Sequence, residues 1–186
     1  MLYLASQSPR RKALLKKLGI RFKILIPKVS EELARETSDP KELAIKNAKR
    51  KVESVAQRVK RGIILGVDTI VVYNKKILGK PRSKAEAKRM LKLLSGKRHL
   101  VISGIFLLKK PGDKIISDYE VTEVTFRPLR KKEIEDYINT KEPYDKAGAY
   151  AIQGRGGIFI ERIEGCYQNV IGLPLPKILR LWKKIS

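Results

Sequence analysis

Apolar residues recur along this chain in two rhythms. Short continuous or alternating runs at 2–5, 22–26, 63–73, 100–108, 115–126 and 157–163 carry the signature of β-strands. Between them, apolar positions spaced three and four apart predict helices over 9–18, 40–59, 84–94, 130–139 and 175–185. The punctuation agrees with this division. Ser8-Pro9 opens the first helix and Gly19 closes it, while Ser83 and Glu86 have the spacing of a capping box at the start of the third. Strands alternating with helices define an α/β protein. Because Pro111-Gly112-Asp113 joins two long strand-like runs as a hairpin, a mixed, mainly antiparallel, twisted sheet with flanking helices is expected. No repeat, low-complexity tract or Gly/Ser linker interrupts 1–186. A single domain is therefore expected, with the hairpin and the helix after it forming a second lobe across a central cleft.

Composition narrows the chemistry. A chain of 186 residues can bury a core without disulfides or a structural metal. Cys166 is the one cysteine and His99 the one histidine, so neither an internal disulfide nor a zinc site built on these two alone is available. A cytoplasmic location fits that usage, and the basic N-terminus offers no apolar signal core. The longest apolar stretch, 62–73, is broken by Asp68 and too short for a bilayer, so no membrane partner is expected. With 42 basic against 19 acidic residues the formal charge is +23, which points to an anionic partner. The cations are spread along the chain, without a basic tail or a strand in which aromatics alternate with them. That spread weakens the case for a dedicated nucleic-acid module, and the charge permits anion binding without naming the anion.

Six places carry candidate chemistry. In Ser6-Gln7-Ser8-Pro9-Arg10-Arg11, two arginines sit at a helix start, where the helix dipole disfavours cations unless an anion joins them. The hydroxyls and backbone donors of the turn suit a phosphate, and a solvated basic face is the alternative. Asp68 lies inside the apolar run Ile63 to Val72 and needs a salt-bridge partner, a metal or a water to activate. Lys80 follows a glycine and precedes a proline in Leu78-Gly79-Lys80-Pro81, as a phosphate ligand or as one more surface lysine. In the second helix Leu43, Asn47 and Lys51 form one row beside the apolar face, so Lys51 borders the buried side while Lys46, Lys49 and Arg50 face water. Glu31 and Glu32 read either as a solvated acidic turn or as Mg²⁺ ligands. The segment from Glu142 to Gly157 combines small residues, Tyr144, Tyr150 and Gln153, and reads as a nucleobase pocket or as a glycine-rich turn.

Taken together, Leu4-Ala5-Ser6-Gln7-Ser8-Pro9-Arg10-Arg11, Asp68-Thr69-Ile70-Val71, Leu78-Gly79-Lys80-Pro81, Glu142-Pro143-Tyr144-Asp145-Lys146-Ala147-Gly148-Ala149-Tyr150, Ile152-Gln153-Gly154 and Asn169-Val170-Ile171-Gly172-Leu173-Pro174-Leu175 resemble the Maf family of nucleoside triphosphate pyrophosphatases. The match runs over nearly the whole chain. The resemblance implies a fold similar to inosine triphosphate pyrophosphatase. It also implies hydrolysis between the α and β phosphates of a nucleotide to a monophosphate and pyrophosphate, with Mg²⁺, or Mn²⁺ or Co²⁺, as cofactor. On this pattern Asp68 is the proton acceptor for the attacking water, and Lys51, Lys80 and Arg11 hold the triphosphate. Ser6, Ser8, Arg10, Thr69, Lys146 and Gln153 complete the substrate site, and Glu31 and Asp68 hold the metal.

Members of the family divide by three positions, here Arg10, Thr69 and Gln153. This combination resembles the subgroup acting on dTTP and UTP, whereas the 7-methyl-GTP subgroup has tryptophan at the position of Arg10. A glutamine amide also matches the acceptor and donor edge of uracil or thymine. Departures from the pattern are Val67 for alanine, Ala151 for glycine and Cys166 for aspartate, none of which removes a proposed catalytic group. The resemblance further implies a homodimer. The readings from other classes are a nucleic-acid-binding protein and a nucleotide-binding regulator of cell division without turnover.

Overall fold

The computed structural model describes residues 1–29 and 39–186. In chain order the elements are β1 Leu2–Ala5, α1 Pro9–Lys17, β2 Phe22–Leu25, α2 Pro40–Ala56, β3 Gly62–Tyr73, β4 Lys76–Leu78, α3 Lys84–Leu94, β5 Arg98–Lys110, β6 Lys114–Phe126, α4 Lys131–Ile138, β7 Ile160–Glu164, α5 Tyr167–Ile171 and α6 Leu175–Ile185. The strands form one mixed sheet in the order β2-β1-β3-β5-β6-β7, with β4 paired to β3. Strand β1 runs parallel to both β2 and β3, while β3–β4 and β6–β7 are antiparallel.

Local chemistry explains the boundaries. Ser8 caps α1 by accepting from the Arg11 amide, and Pro9 supplies the first helical position. At the other end the Gly19 amide bonds Lys16 O and the Ile20 amide bonds Leu15 O, a Schellman motif that needs the positive φ of Gly19, 66°. At α3 the Ser83 hydroxyl accepts from the Glu86 amide, but the Glu86 carboxylate reaches one residue further back, to the Arg82 amide. Three elements differ from expectation. Asn74 and Lys75 both take positive φ, 47° and 63°, which turns β3 back into β4 without a glycine to signal it. Residues Arg155–Phe159 form a 3₁₀ turn, so β7 begins only at Ile160, and α5 is too short to show a helical period.

The described residues fall into two compact units. The first comprises Met1–Thr69, Ser103–Glu120 and Gly172–Ser186. Alternation along β3 sorts its side chains onto two faces. Ile63, Leu65 and Val67 join Leu15 of α1 and Leu175, Ile178, Leu181 and Ile185 of α6. Ile64 instead meets Ala48, Val52 and Val55 of α2. Each such side chain contributes about 2 kcal/mol by leaving water.

The second unit comprises Ile70–Ile102 and Val121–Ile171. Its core gathers Met90, Leu91 and Leu94 of α3, Ile134, Tyr137 and Ile138 of α4, and Phe126 and Phe159. His99 is buried there, edge-on to Phe126, with Nε2 2.8 Å from the Tyr150 hydroxyl. Burial pushes its imidazole down from 6.5 to about 4. The unfolded chain therefore binds the proton first as pH falls, so stability is full above pH 6.5 and is lost between 6.5 and 4. The loss amounts to about 3 kcal/mol at most. Melting curves of the wild type and His99→Gln between pH 7 and 5 test this: the variant is expected to show the shallower decline.

Candidate active site

Asp68 and Lys51 are both sequestered, at 3% and 7% exposure, and they are paired. Lys51 Nζ donates to Asp68 Oδ1 at 2.5 Å, and Asn47 Nδ2 donates to Oδ2 at 3.1 Å. The two donors stand one turn apart on α2, so a single helical row serves both carboxylate oxygens. Two glycines bring that row in. A Cβ on Gly104 would lie 2.1 Å from the Ala44 carbonyl carbon, and one on Gly66 would lie 2.4 Å from Ala48 O. Only a bare backbone in β3 and β5 lets α2 approach this closely. Removing one member of such a buried pair costs about 3–5 kcal/mol, so the Asp68 cluster is costly to leave half-made.

Thr69, the next residue of β3, points to the other face. Its Oγ1 accepts from Arg11 Nη2 at 3.0 Å and lies 2.8 Å from Ser103 Oγ, which is fully buried. Arg11, 8% exposed, also donates from Nε to Gly172 O at 2.7 Å and from Nη1 to Ser6 Oγ at 3.3 Å. Ser6 Oγ accepts in addition from the Ser8 amide. Thus Ser6, Ser8, Arg11 and Thr69 form one hydrogen-bonded group at the start of α1, and Arg10 lies half-buried beside it.

Strand register explains why both groups meet the same stretch of β3. Strand β1 pairs with β3 only as far as Ala5 against Gly66, then turns at Ser6 into α1. Strand β4 takes up pairing only from Val71. Asp68 and Thr69 fall between, where β1 has ended and β4 has not begun. A ligand at the carboxyl end of β1 can therefore reach side chains from both faces, the usual binding position in sheets with parallel strands.

Lys80, Lys146 and Gln153 belong to the second unit. The Gly148 amide donates to Gly79 O at 3.1 Å, which ties the Lys80 loop to the turn after Lys146. Lys146 Nζ pairs with Asp145 and donates to Glu142 O at 2.8 Å. Gln153 is exposed on the turn that Glu142 organises. Glu142 accepts from the Arg155 and Gly156 amides and the Tyr137 hydroxyl. Burial pushes its carboxyl up, but these donors outweigh burial and hold it below the ordinary range. This knot was not legible in the sequence, because two of its donors are backbone amides. Glu31 and Glu32 lie outside the described residues. Lys49 is exposed as expected, whereas Lys46 and Arg50 are half-buried. Cys166 is half-buried, its amide bonded to Thr122 Oγ1. Sequence reasoning placed Asn47 on the correct helical row without giving it a role, and it passed over Ser103, an ordinary serine inside an apolar strand.

Fold and geometry define an α/β protein with a buried carboxylate on Asp68 and, bonded to the next residue Thr69, the buried guanidinium of Arg11, both in the stretch of β3 beyond the end of its parallel neighbour β1. The chain belongs to the Maf family: the family's sequence profile, described as Maf-like protein, matches residues 1–185. It is 49% identical to the dTTP/UTP pyrophosphatase of Carboxydothermus hydrogenoformans over 179 residues, 96% of this chain and 95% of that protein. With the dTTP/UTP pyrophosphatase of Bacillus anthracis (strain CDC 684 / NRRL 3495) it shares 47% identity over 183 residues, 98% and 94% of the two chains. Among solved structures, the Staphylococcus aureus Ham1 protein aligns with a TM-score of 0.45 and 17% identity, covering 67% of this chain and 71% of that one. Among the described residues no helix is long and apolar enough to cross a membrane.

Proposed function

We propose that this protein hydrolyses the α–β phosphoanhydride bond of dTTP and UTP, releasing the nucleoside monophosphate and pyrophosphate. The observation that carries the reading is the pair of groups gathered on Asp68 and Thr69: a buried carboxylate on one face of β3 and, bonded to the next residue on the other face, a buried arginine from the first turn of a helix. The relatives named above supply the substrate class. Water attacks the α phosphorus, the bond from that phosphorus to the bridging oxygen breaks, and pyrophosphate departs. Asp68 takes the proton of the attacking water. Arg11, the Ser6 and Ser8 turn and the helix N–H groups bind phosphate oxygens, and Lys51 adds positive charge where the leaving group gains negative charge. The family pattern adds Arg10, Lys80 and Lys146 for the triphosphate, and Thr69 and Gln153 for the choice of a pyrimidine base.

Among the described residues no group of three or more Asp, Glu, His or Cys is placed to hold a metal ion. A single buried carboxylate nevertheless fits Mg²⁺, which binds nucleotides through one or two carboxylates together with substrate phosphates. Asp68, joined by Glu31 on the family pattern, would hold it, and Mn²⁺ or Co²⁺ could replace it. When bound, the cation offsets phosphate charge. A cytoplasmic homodimer completes the proposal, on the family pattern.

Product analysis of the purified protein against a panel of nucleoside triphosphates with Mg²⁺ or Mn²⁺ tests the reading. Monophosphate and pyrophosphate from UTP and dTTP are expected, with purine triphosphates poor substrates. Turnover of purines alone would overturn the assignment of Arg10, Thr69 and Gln153 while leaving the chemistry intact. Nucleotide binding without any product would turn the reading to a regulator. Tight, salt-dependent binding of duplex or RNA without turnover would turn it to a nucleic-acid-binding protein.

A further inference from the structure

Resting on the functional reading above, we propose that Asn47 and Ser103 are positioning residues of this site, one behind each face of β3, and that they govern different kinetic constants. Asn47 acts through Asp68. Its amide fixes Oδ2 at 3.1 Å while Lys51 fixes Oδ1, so the carboxylate plane is set by two donors from one helix. At 3% exposure Asn47 is buried, so the donor it gives Asp68 is set by the protein interior and its loss leaves a buried carboxylate oxygen short of a partner. Without it the carboxylate pivots about the Lys51 contact, and the oxygen that takes the proton leaves its line to the attacking water. Misplacement of a reacting group lowers turnover more than binding.

Ser103 acts through Thr69. Its hydroxyl, completely buried in β5, lies 2.8 Å from Thr69 Oγ1, the same oxygen that accepts from Arg11 Nη2 at 3.0 Å. The three groups form a short relay that runs from the strand interior to the guanidinium. Losing the serine hydroxyl frees Thr69 to rotate, and Arg11 then loses one of the oxygens that aim its planar fork. Arg11 meets the phosphates in the bound substrate as well as in the transition state. The deficit therefore falls on binding, not on turnover.

The test is a paired kinetic and binding comparison of four variants: Asn47→Leu, Asn47→Gln, Ser103→Ala and Ser103→Thr. Asn47→Leu is expected to lower kcat for UTP at least tenfold with KM within twofold, and Asn47→Gln, which keeps the amide, to recover part of it. Ser103→Ala is expected to raise KM about fivefold with kcat within twofold, and Ser103→Thr, which keeps the hydroxyl, to restore the wild-type value. In parallel, calorimetric affinity for a UTP analogue with a non-hydrolysable α–β bridge should weaken in Ser103→Ala and hold in Asn47→Leu. A role confined to folding would lower melting temperature and active fraction without this split. If the wild type turns over UTP but both variants change kcat and KM alike, the proposal fails and the functional reading stands. A wild type that binds the analogue yet never cleaves UTP would overturn the functional reading, and the proposal would then fail unless Ser103→Ala alone weakened binding. Absence of both turnover and binding would overturn both.

Discussion

Asp68→Asn is expected to lower kcat for UTP and dTTP by about 10³-fold, within the range that loss of a general base produces. The substitution preserves shape but removes the atom that takes the proton. It also removes the charge opposite Lys51, whose ammonium then stays buried beside a neutral amide. That second effect belongs to stability, and the variant should be about 3 kcal/mol less stable than the wild type. The two consequences can be separated by adding Lys51→Met, which takes away the stranded charge. Asp68→Asn/Lys51→Met should recover most of the lost melting temperature and none of the turnover. Stopped-assay pyrophosphate release, normalised to folded protein, reads the first effect, and calorimetric melting reads the second. Turnover in Asp68→Asn within threefold of the wild type would remove Asp68 from the base role.

How much of this site could be read from the chain depends on where its hydrogen bonds go. The misplaced arginines were legible because the helix dipole makes a cation at an N-terminus conspicuous, and Asp68 was legible because a carboxylate in an apolar run must find partners. Lys51 was placed on the buried border by helical spacing alone, and the structure puts it on Asp68. What spacing could not give is the length of the reach. Nothing in the sequence says that Gly66 and Gly104 lower α2 onto the sheet by excluding every Cβ, and that approach brings Asn47 within bonding distance. Ser103 escaped for a related reason. A serine in a strand carries no periodic signal, and its role comes from a neighbouring strand 34 positions away in sequence. The fold divides in the same manner. Runs and caps located the long strands and helices, whereas β4 hangs on two positive-φ residues that lack the usual glycine, and β7 was shortened by a 3₁₀ turn anchored on Glu142.

Arg11→Lys provides the complementary measurement, because it keeps the charge and discards the geometry. The directed bonds of the guanidinium include those to Gly172 O, Ser6 Oγ and Thr69 Oγ1, at 2.7, 3.3 and 3.0 Å. A lysine ammonium is a point donor on a flexible stem and cannot span these three oxygens, which approach a planar fork from different sides. At least one of them is left without its donor at a largely buried position. Each buried bond to a charged group contributes about 1.5–3 kcal/mol, so the variant should lose about 3 kcal/mol of stability. Catalysis should fall further than charge alone would suggest. With the positive charge retained, nonspecific attraction of the triphosphate persists, yet the paired N–H groups that grip a phosphate are gone. The expected result is a drop of about 10²-fold in kcat/KM, carried mainly by KM. Initial-rate measurements over a wide UTP range, beside inhibition by pyrophosphate, would read it. The inhibition constant for pyrophosphate should rise together with KM if Arg11 binds the phosphates in the ground state. Should kcat/KM stay near the wild-type value, Arg11 is a structural tie between α1, β3 and Gly172, and the anion site must lie elsewhere.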